Sequence, residues 1–474
     1  MKTQEKVADF RDGFPKFTQE MKKDYIILVP DMLPWHFDLL TYIIEKQGYK
    51  LEVLHNEGRR VVDEGLKHVH NDACYPALCV IGQFLDALKS GKYDTEKTAV
   101  LITQTGGGCR ASNYISLIRK ALKAEFPRVP VLSVNFSGLE KDSGLQMSLG
   151  TIVRLGYSIF YSDLVMTCYN QTRPYEAEQG ASDKVRKACT EQLKRAFDGG
   201  GYKRFAKITN SILTAFASVE RVSFCPPLEG RGRGEVEEQE TPHQSPVATA
   251  SPQGEADTAG RQGGCASGHL ERSEESHGES GEKLKVGIVG EIYVKYSPLG
   301  NSHLEDFLLS ENCEPVLPAL MDFVMYCVIN NINDAKLYGM NKGTARLFKI
   351  VYSWLYGKQK KMISIMKKQG VFEPLHDFER LRALADEVIN QGVKMGEGWL
   401  IPAEMAALYE TGTKNIVCAQ PFGCLPNHIV GKGAVRTLKE KYKDINVVAV
   451  DYDPSATRVN QENRIKLMLA TARR

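Results

Sequence analysis

The chain has 474 residues, of which 61 are basic, 58 acidic and 42% hydrophobic. That is the composition of two or three ordinary domains with real cores, and a formal net charge of only +3 gives no electrostatic footprint for nucleic acid. The opening MKTQEKVADFRDGFPKFTQEM lacks the apolar run and cleavage site of a secretory signal, and no stretch reaches the roughly 18 consecutive apolar residues of a membrane span. The expectation is a cytoplasmic protein without membrane contact. In that compartment thiols stay reduced, so the 11 cysteines point to metal binding or simple burial rather than to a disulfide framework.

Residues 1–23 read as an N-terminal extension and 24–147 as a first α/β domain. In chain order its elements are a strand at 25–29, a helix at 36–47, an extended run at 50–54 and a buried strand at 98–103 (TAVLIT). The loop QTGGGCR, a helix at 111–126 and a strand at 129–135 follow. This is the βαβ rhythm of a parallel sheet covered on both faces. Residues 148–225 are mainly helical in pattern. Residues 226–283 have almost no large apolar side chains and are dense in Gly, Ser, Glu and Pro, so they read as a disordered linker or insertion, which leaves Cys265 outside any site. A second α/β domain at 284–474 opens with a strand at 285–289, the long loop GEIYVKYSPLGN and a helix start at 303–310. A helical insertion covers 318–392. The last unit is a strand at 415–419, the loop QPFGCLPNH, a helix at 429–442 and a strand at 445–451. The predicted fold is therefore two doubly wound, Rossmann-like parallel sheets with additional helical segments, and ligands in such folds gather at the carboxyl ends of the strands.

Three cysteines share one local context. Cys74 in HNDACYPAL, Cys109 in QTGGGCRASNY and Cys424 in PFGCLPNHIVGKG each stand in a loop that opens a helix. A thiol there meets the positive end of the helix dipole and free N–H groups, which favour the thiolate that ligates metal. Gly106, Gly107, Gly108 and Gly423 allow close backbone approach, and Pro76 and Pro426 can set the turns. Three such thiolates suit a polynuclear iron-sulfur cluster, with one iron left open. Taken singly, each cysteine is more often a small buried hydrophobe than a ligand, and it is the shared context that singles these three out. Cys79 fits the apolar face of a helix; Cys418, inside a strand, is a reserve ligand; Cys168, Cys189, Cys225, Cys313 and Cys327 have no motif around them. The GGGC run lacks the Lys-Ser/Thr of a phosphate loop and the spacing of a dinucleotide fingerprint. A structural zinc site is a further reading, for which only the Cys74/Cys79 spacing is right.

The segments HNDACYPAL, QTGGGCRASNYISLIRKAL, VGEIYVKYSPLGN, QPFGCLPNHIVGKG and VVAVDYDPSATRVNQENRIKLML resemble the 2-hydroxyacyl-CoA dehydratase D-component family. The pattern is most like the carboxy-terminal module of fusion proteins related to acyl-CoA dehydratase activases, and it runs from about residue 17 to 470, interrupted by the linker. The resemblance implies a 4Fe-4S cluster on Cys74, Cys109 and Cys424 in the cleft between the two α/β domains. It also implies a low-potential electron from an ATP-dependent activase with its own iron-sulfur cluster, and radical dehydration of a 2-hydroxyacyl-CoA thioester or a related reduction. A double-cubane cluster would need more ligands than the three motif positions provide. The activase region is not in this sequence, so the expectation is a partner subunit or a fragment of a longer fusion, with the ATP-driven step supplied in trans and a homo- or heterodimer left open.

Other polar loop residues are candidates of lower rank. Glu291 could transfer protons, His428 could be a ligand or a proton donor, and Arg110 could pair with a phosphate or carboxylate. Asn71, Asp72, Gln104, Asn113, Asn301 and Asn427 should share the strand-to-helix loops that face the cleft. For all of these, loop hydrogen bonding or capping is the bland alternative. Asp451 and Asp453 read as turn and capping residues. Two readings from other classes stand beside the enzyme component: a non-catalytic iron-sulfur or scaffold partner of an activase, and a zinc-stabilised or dinucleotide-binding α/β protein.

Overall fold

The computed structural model of the chain describes residues 10–11, 13–70, 72–104, 108–135, 144–222, 282–339 and 342–474. A short antiparallel hairpin, β1 (Phe10–Arg11) and β2 (Phe14–Pro15), comes first. The apolar runs that follow form β3 (Ile26–Val29), β4 (Lys50–Val53), β5 (Thr98–Gln104) and β6 (Val131–Asn135), a parallel sheet in the order β4-β3-β5-β6. Their period of two sorts side chains to two cores. Leu28, Val100 and Ile102 pack with Leu78, Leu85 and Ile118, whereas Ile27, Val29, Ala99 and Leu101 pack with Phe17 and Tyr49.

Helices α1 (Pro34–Glu45), α2 (Arg59–Leu66), α3 (Tyr75–Lys89) and α4 (Tyr114–Glu125) belong to this half. Two glycines lock α2 against α3: a Cβ at Gly82 would lie 1.9 Å from Val61 O, and one at Gly65 2.2 Å from Leu78 O. Only glycine permits that approach, and it fixes the loop between the two helices. Next come α5 (Leu149–Asn170), α6 (Ala181–Asp198) and α7 (Phe205–Ala217).

The second half repeats the parallel arrangement with β7 (Leu284–Gly290), β8 (Cys313–Val316), β9 (Asn415–Pro421) and β10 (Asn446–Tyr452), ordered β10-β9-β7-β8. Between and after them lie α8 (Ile292–Tyr296), α9 (Pro298–Asn301), α10 (Leu304–Ser310), α11 (Leu320–Leu337), α12 (Lys342–Gln369), α13 (Phe378–Asp386), α14 (Leu400–Glu410), α15 (Val435–Lys441) and α16 (Arg458–Ala472). Val286, Ile288, Val417 and Ala419 join the core that holds Leu28 and Val100, while Val289, Ile416 and Cys418 turn to the large helical core of α5, α7 and α11 to α14. Buried Asp163 on α5 ties the layers together, accepting from the backbone N–H of Leu320 and Met321 and pairing with His36 Nε2 at 2.8 Å.

Some expectations are corrected. GEIYVKYSPLGN is not a long loop: Glu291 accepts from Val294 N and Ser297 from Gly300 N, so two short capped helices form. The helix expected at 429–442 begins as a wide π turn, Asn427–Lys432, before α15. Strand β8 and helices α2 and α16 had no expected counterpart. Both four-stranded sheets lie within one compact unit. The segment proposed as a linker lies, at 226–281, outside the described residues, as do Cys225 and Cys265. Its flanks meet at one residue: Val222 N donates to Tyr175 O at 2.9 Å and Lys283 N to Tyr175 Oη at 3.1 Å. No helix among the described residues is long and apolar enough to cross a membrane.

Candidate metal centre

Cys74 is the residue before α3, in extended conformation, with Pro76 in the helix's first turn. Cys109 stands in the same way before the turn Arg110–Asn113 that leads into α4. Cys424 follows β9 after Gly423, whose φ of +70° lies in the left-handed region that favours glycine. Its carbonyl accepts from His428 N at 3.0 Å, an α-type bond that leads into the π turn closed by Gly433 N on His428 O at 3.1 Å, a wide turn often found at functional positions.

The Cys74 and Cys109 loops are bound together. Tyr114 Oη lies 3.0 Å from Cys74 Sγ, and Arg110 Nη1 donates to the carbonyls of Asp72, at 3.0 Å, and Ala73. The third loop is reached through residues 395–398, which the sequence reading overlooked. A Cβ on Gly108 would lie 2.1 Å from Met395 Sδ, and one on Gly396 would lie 3.2 Å from Pro426 Cβ. Gly396 and Gly398 have φ of +59° and +44°, so this Gly-Glu-Gly turn threads between the Cys109 and Cys424 loops. It carries Glu397 inward. The signal was visible as a single acid between two glycines ahead of the apolar run WLIPAEMAAL.

Glu291 and Glu397 are both buried at the start of α8. Glu291 Oε2 accepts from Val294 N at 2.8 Å, and Glu397 Oε1 from Ile292 N at 3.0 Å. Burial raises the pKa of both, and at Glu291 the charge of Glu397 raises it further. Lys295 opposes this from one turn away while it pairs with buried Glu404 at 3.0 Å. The negative charge of Glu291 acts on all three thiols. Cys74 and Cys109 are also close enough that Cys109 raises the Cys74 pKa.

The expected depression of the thiol pKa values is corrected. Backbone amides do favour each thiolate, namely Ala77 at Cys74, Ala111 and Ser112 at Cys109, and Asn427 at Cys424. No side-chain capping bond closes at Cys74 or Cys109, and burial wins. It pushes Cys74 up to about 11 and Cys424 up to about 12, with Cys109 raised as well. The metal-free thiols therefore hold their protons, and a metal that binds must displace them.

The remaining candidates take up defined places. His428 Nε2 accepts from Gly423 N at 3.2 Å, so this ring nitrogen braces the cysteine turn. Asn427 Nδ2 donates to Cys424 Sγ at 3.3 Å and to Glu397 Oε2 at 3.4 Å. Asn301 is buried away from solvent and bonds the carbonyls of Val294 and Lys295 and the amide of Leu304, which makes it a bracket for α8 to α10. Asp72 lies in a helix-to-helix loop, between α2 and α3, not in the expected strand-to-helix loop; Asn113 is exposed. Asp453 closes a turn on Ser455 and Ala456, as expected, whereas Asp451 pairs with Lys432 at 2.8 Å. Cys79 and Cys418 are fully buried, Cys418 in mid-strand. Asn71, Gly106, Gly107 and the Gln104 side chain lie outside the described residues.

Among the described residues, no group of three or more His, Cys, Asp or Glu side chains could hold a metal ion as it stands. Met395, Phe422, Leu425 and Ile429 expose apolar surface around Glu397 and Cys424. Compared with known proteins, the chain matches no family model and no curated sequence.

Proposed function

We propose that this chain is the iron-sulfur component of a 2-hydroxyacyl-CoA dehydratase-like system or of a related low-potential reductase. In this reading Cys74, Cys109 and Cys424 hold a 4Fe-4S cluster in a cleft between two doubly wound halves. An ATP-dependent activase with its own cluster supplies the electron, and the substrate is an acyl-CoA thioester. The observation that carries the reading is that Arg110 and Tyr114 bond the Cys109 loop to the Cys74 loop, while the Gly396–Gly398 turn packs beside Pro426 of the Cys424 loop, with its neighbour Met395 against Gly108.

The donor set suits such a group. Three thiols on helix-opening loops, with amides and small residues beside them, offer sulfur ligands and N–H donors of the kind that hold and tune iron-sulfur clusters. A bound cluster would supply a one-electron couple and, at an iron without a protein thiolate, a Lewis acid. The chain's own residues do the rest. Glu291 and Glu397, whose pKa values burial raises, would give or take a proton beside the thiols. Tyr114 orients the Cys74 sulfur. The exposed side chains of Met395, Phe422, Leu425 and Ile429 give the Cys424 side an apolar rim.

The test is anaerobic reconstitution with iron and sulfide analysis and EPR. Cys74→Ser, Cys109→Ser and Cys424→Ser should each lose iron, while Cys79→Ser and Cys418→Ser keep it. A protein that takes up zinc alone, or no metal, overturns the proposal. A coupled assay with activase, ATP, reductant and a panel of 2-hydroxyacyl-CoA thioesters then distinguishes a dehydratase from a cluster-bearing partner without turnover.

A further inference from the structure

Asn427 has an arrangement that packing does not explain. Its side chain is fully buried. One amide nitrogen serves two neighbours, Cys424 Sγ at 3.3 Å and Glu397 Oε2 at 3.4 Å, while Oδ1 has no partner among the described residues. Turning the amide over would set its oxygen against a sulfur and a carboxylate, both acceptors once a bound metal has displaced the thiol proton to solvent, so the orientation follows from the neighbours' chemistry. A buried oxygen without a donor is costly, and a leucine of nearly the same size would avoid that cost. The fold nonetheless holds Asn427 there, at the first position of a π turn whose geometry places the side chain between ligand and acid.

We propose that Asn427 is the positioning residue that sets the electron affinity of the cysteine site, by donating one N–H to the Cys424 sulfur and anchoring the other on Glu397. This rests on the cluster reading above. An N–H directed at a ligand sulfur stabilises the more negative, reduced state more than the oxidised one, and so raises the reduction potential. Glu397 holds the amide in place. Through its bond to Ile292 N, it also ties that donor to the start of α8. At Cys74 the hydroxyl of Tyr114, 3.0 Å from Sγ, can donate in the same way once that sulfur is deprotonated. Among the described residues no side-chain hydrogen bond of this kind is seen at Cys109, whose sulfur is served by the amides of Ala111 and Ser112.

The experiment uses the full chain, reconstituted anaerobically with iron and sulfide, and reads the midpoint potential by EPR-monitored titration at fixed pH. Asn427→Leu removes both donors; Asn427→Asp keeps the shape but turns an acceptor towards the sulfur, and remains readable if the leucine variant does not fold. Both should load iron as the unchanged chain does. Each should make one-electron reduction less favourable, by about tenfold for the leucine variant, which is about 59 mV, and by more for the aspartate one. Glu397→Gln, which can still accept from the amide, should shift the potential less than either. Loaded variants with the unchanged potential overturn the inference. So do variants that fold but hold no iron, because a residue that only tunes the sulfur leaves the ligand set intact. An unchanged chain that takes up no iron defeats the cluster reading itself, and that failure appears before any variant is made.

Discussion

Lys295 is the test of how the buried acids around the site are tolerated. Its ammonium is almost wholly enclosed, donates to Glu404 Oε1 at 3.0 Å and Oε2 at 3.2 Å, and lowers the pKa of Glu291, Glu397, Glu404 and Asp322. At an effective dielectric of about 20, the attraction across this contact is roughly 5 kcal/mol. Breaking a buried pair by removing one partner costs about 3–5 kcal/mol, because the other charge is left uncompensated. In Lys295→Met the folded-state pKa of Glu404, already raised by burial, rises further above its value in the unfolded chain. The folded state then binds the proton more tightly. The penalty is absent below the ordinary carboxylate range and grows as pH rises through the raised pKa. Urea unfolding at pH 8 should therefore show a loss of about 3–5 kcal/mol, shrinking towards pH 5, and Lys295→Met/Glu404→Leu should recover most of it. A single variant as stable as wild type at pH 8, or a loss equal at both pH values, would refute the electrostatic account.

Glu291→Gln keeps an acceptor for Val294 N but removes a carboxyl whose pKa burial raises; wild type should lose stability relative to this variant as pH climbs from 5 to 8.5, and parallel thermal-unfolding curves would count against it. Gly290→Ala meets both strain and collision, with φ at +138° and a Cβ only 1.8 Å from Ala419 O. It should cost about 3 kcal/mol or more in urea unfolding, whereas Gly91→Ala, at φ +76° in open space, should cost about 1–2 kcal/mol.

The strands were legible because their signal is local. TAVLIT and the run before QPFGC are short, apolar and bounded by turn residues, and they appear as β5 and β9. The three cysteine loops were legible for the same reason, since each carries a helix-opening turn within a few residues. Helices α8 and α9 were missed because Gly, Pro and Ser in that stretch look like a loop, and their caps, Glu291 and Ser297, are evident only once the side-chain bonds are drawn. Glu397 was missed for a different reason. It lies 27 residues before Cys424 in sequence, and the approach of Gly396 to Pro426 and of Gly108 to Met395 brings its turn to the site. The thiol pKa values failed in direction because a sequence shows which residue opens a helix but not how deeply its sulfur is buried. The amide contribution was real and smaller than the desolvation.

Tyr175 joins two stretches of chain that are far apart in sequence. The chain's departure at Val222 and its return at Lys283 are bonded to the carbonyl and the hydroxyl of this one residue, and the hydroxyl in turn donates to Glu314 on β8 at 2.7 Å. Val222 and Lys283 are thus bonded to the same residue, and through Tyr175 the entry to β7 is tied both to the end of the helical stretch before it and to the neighbouring strand β8.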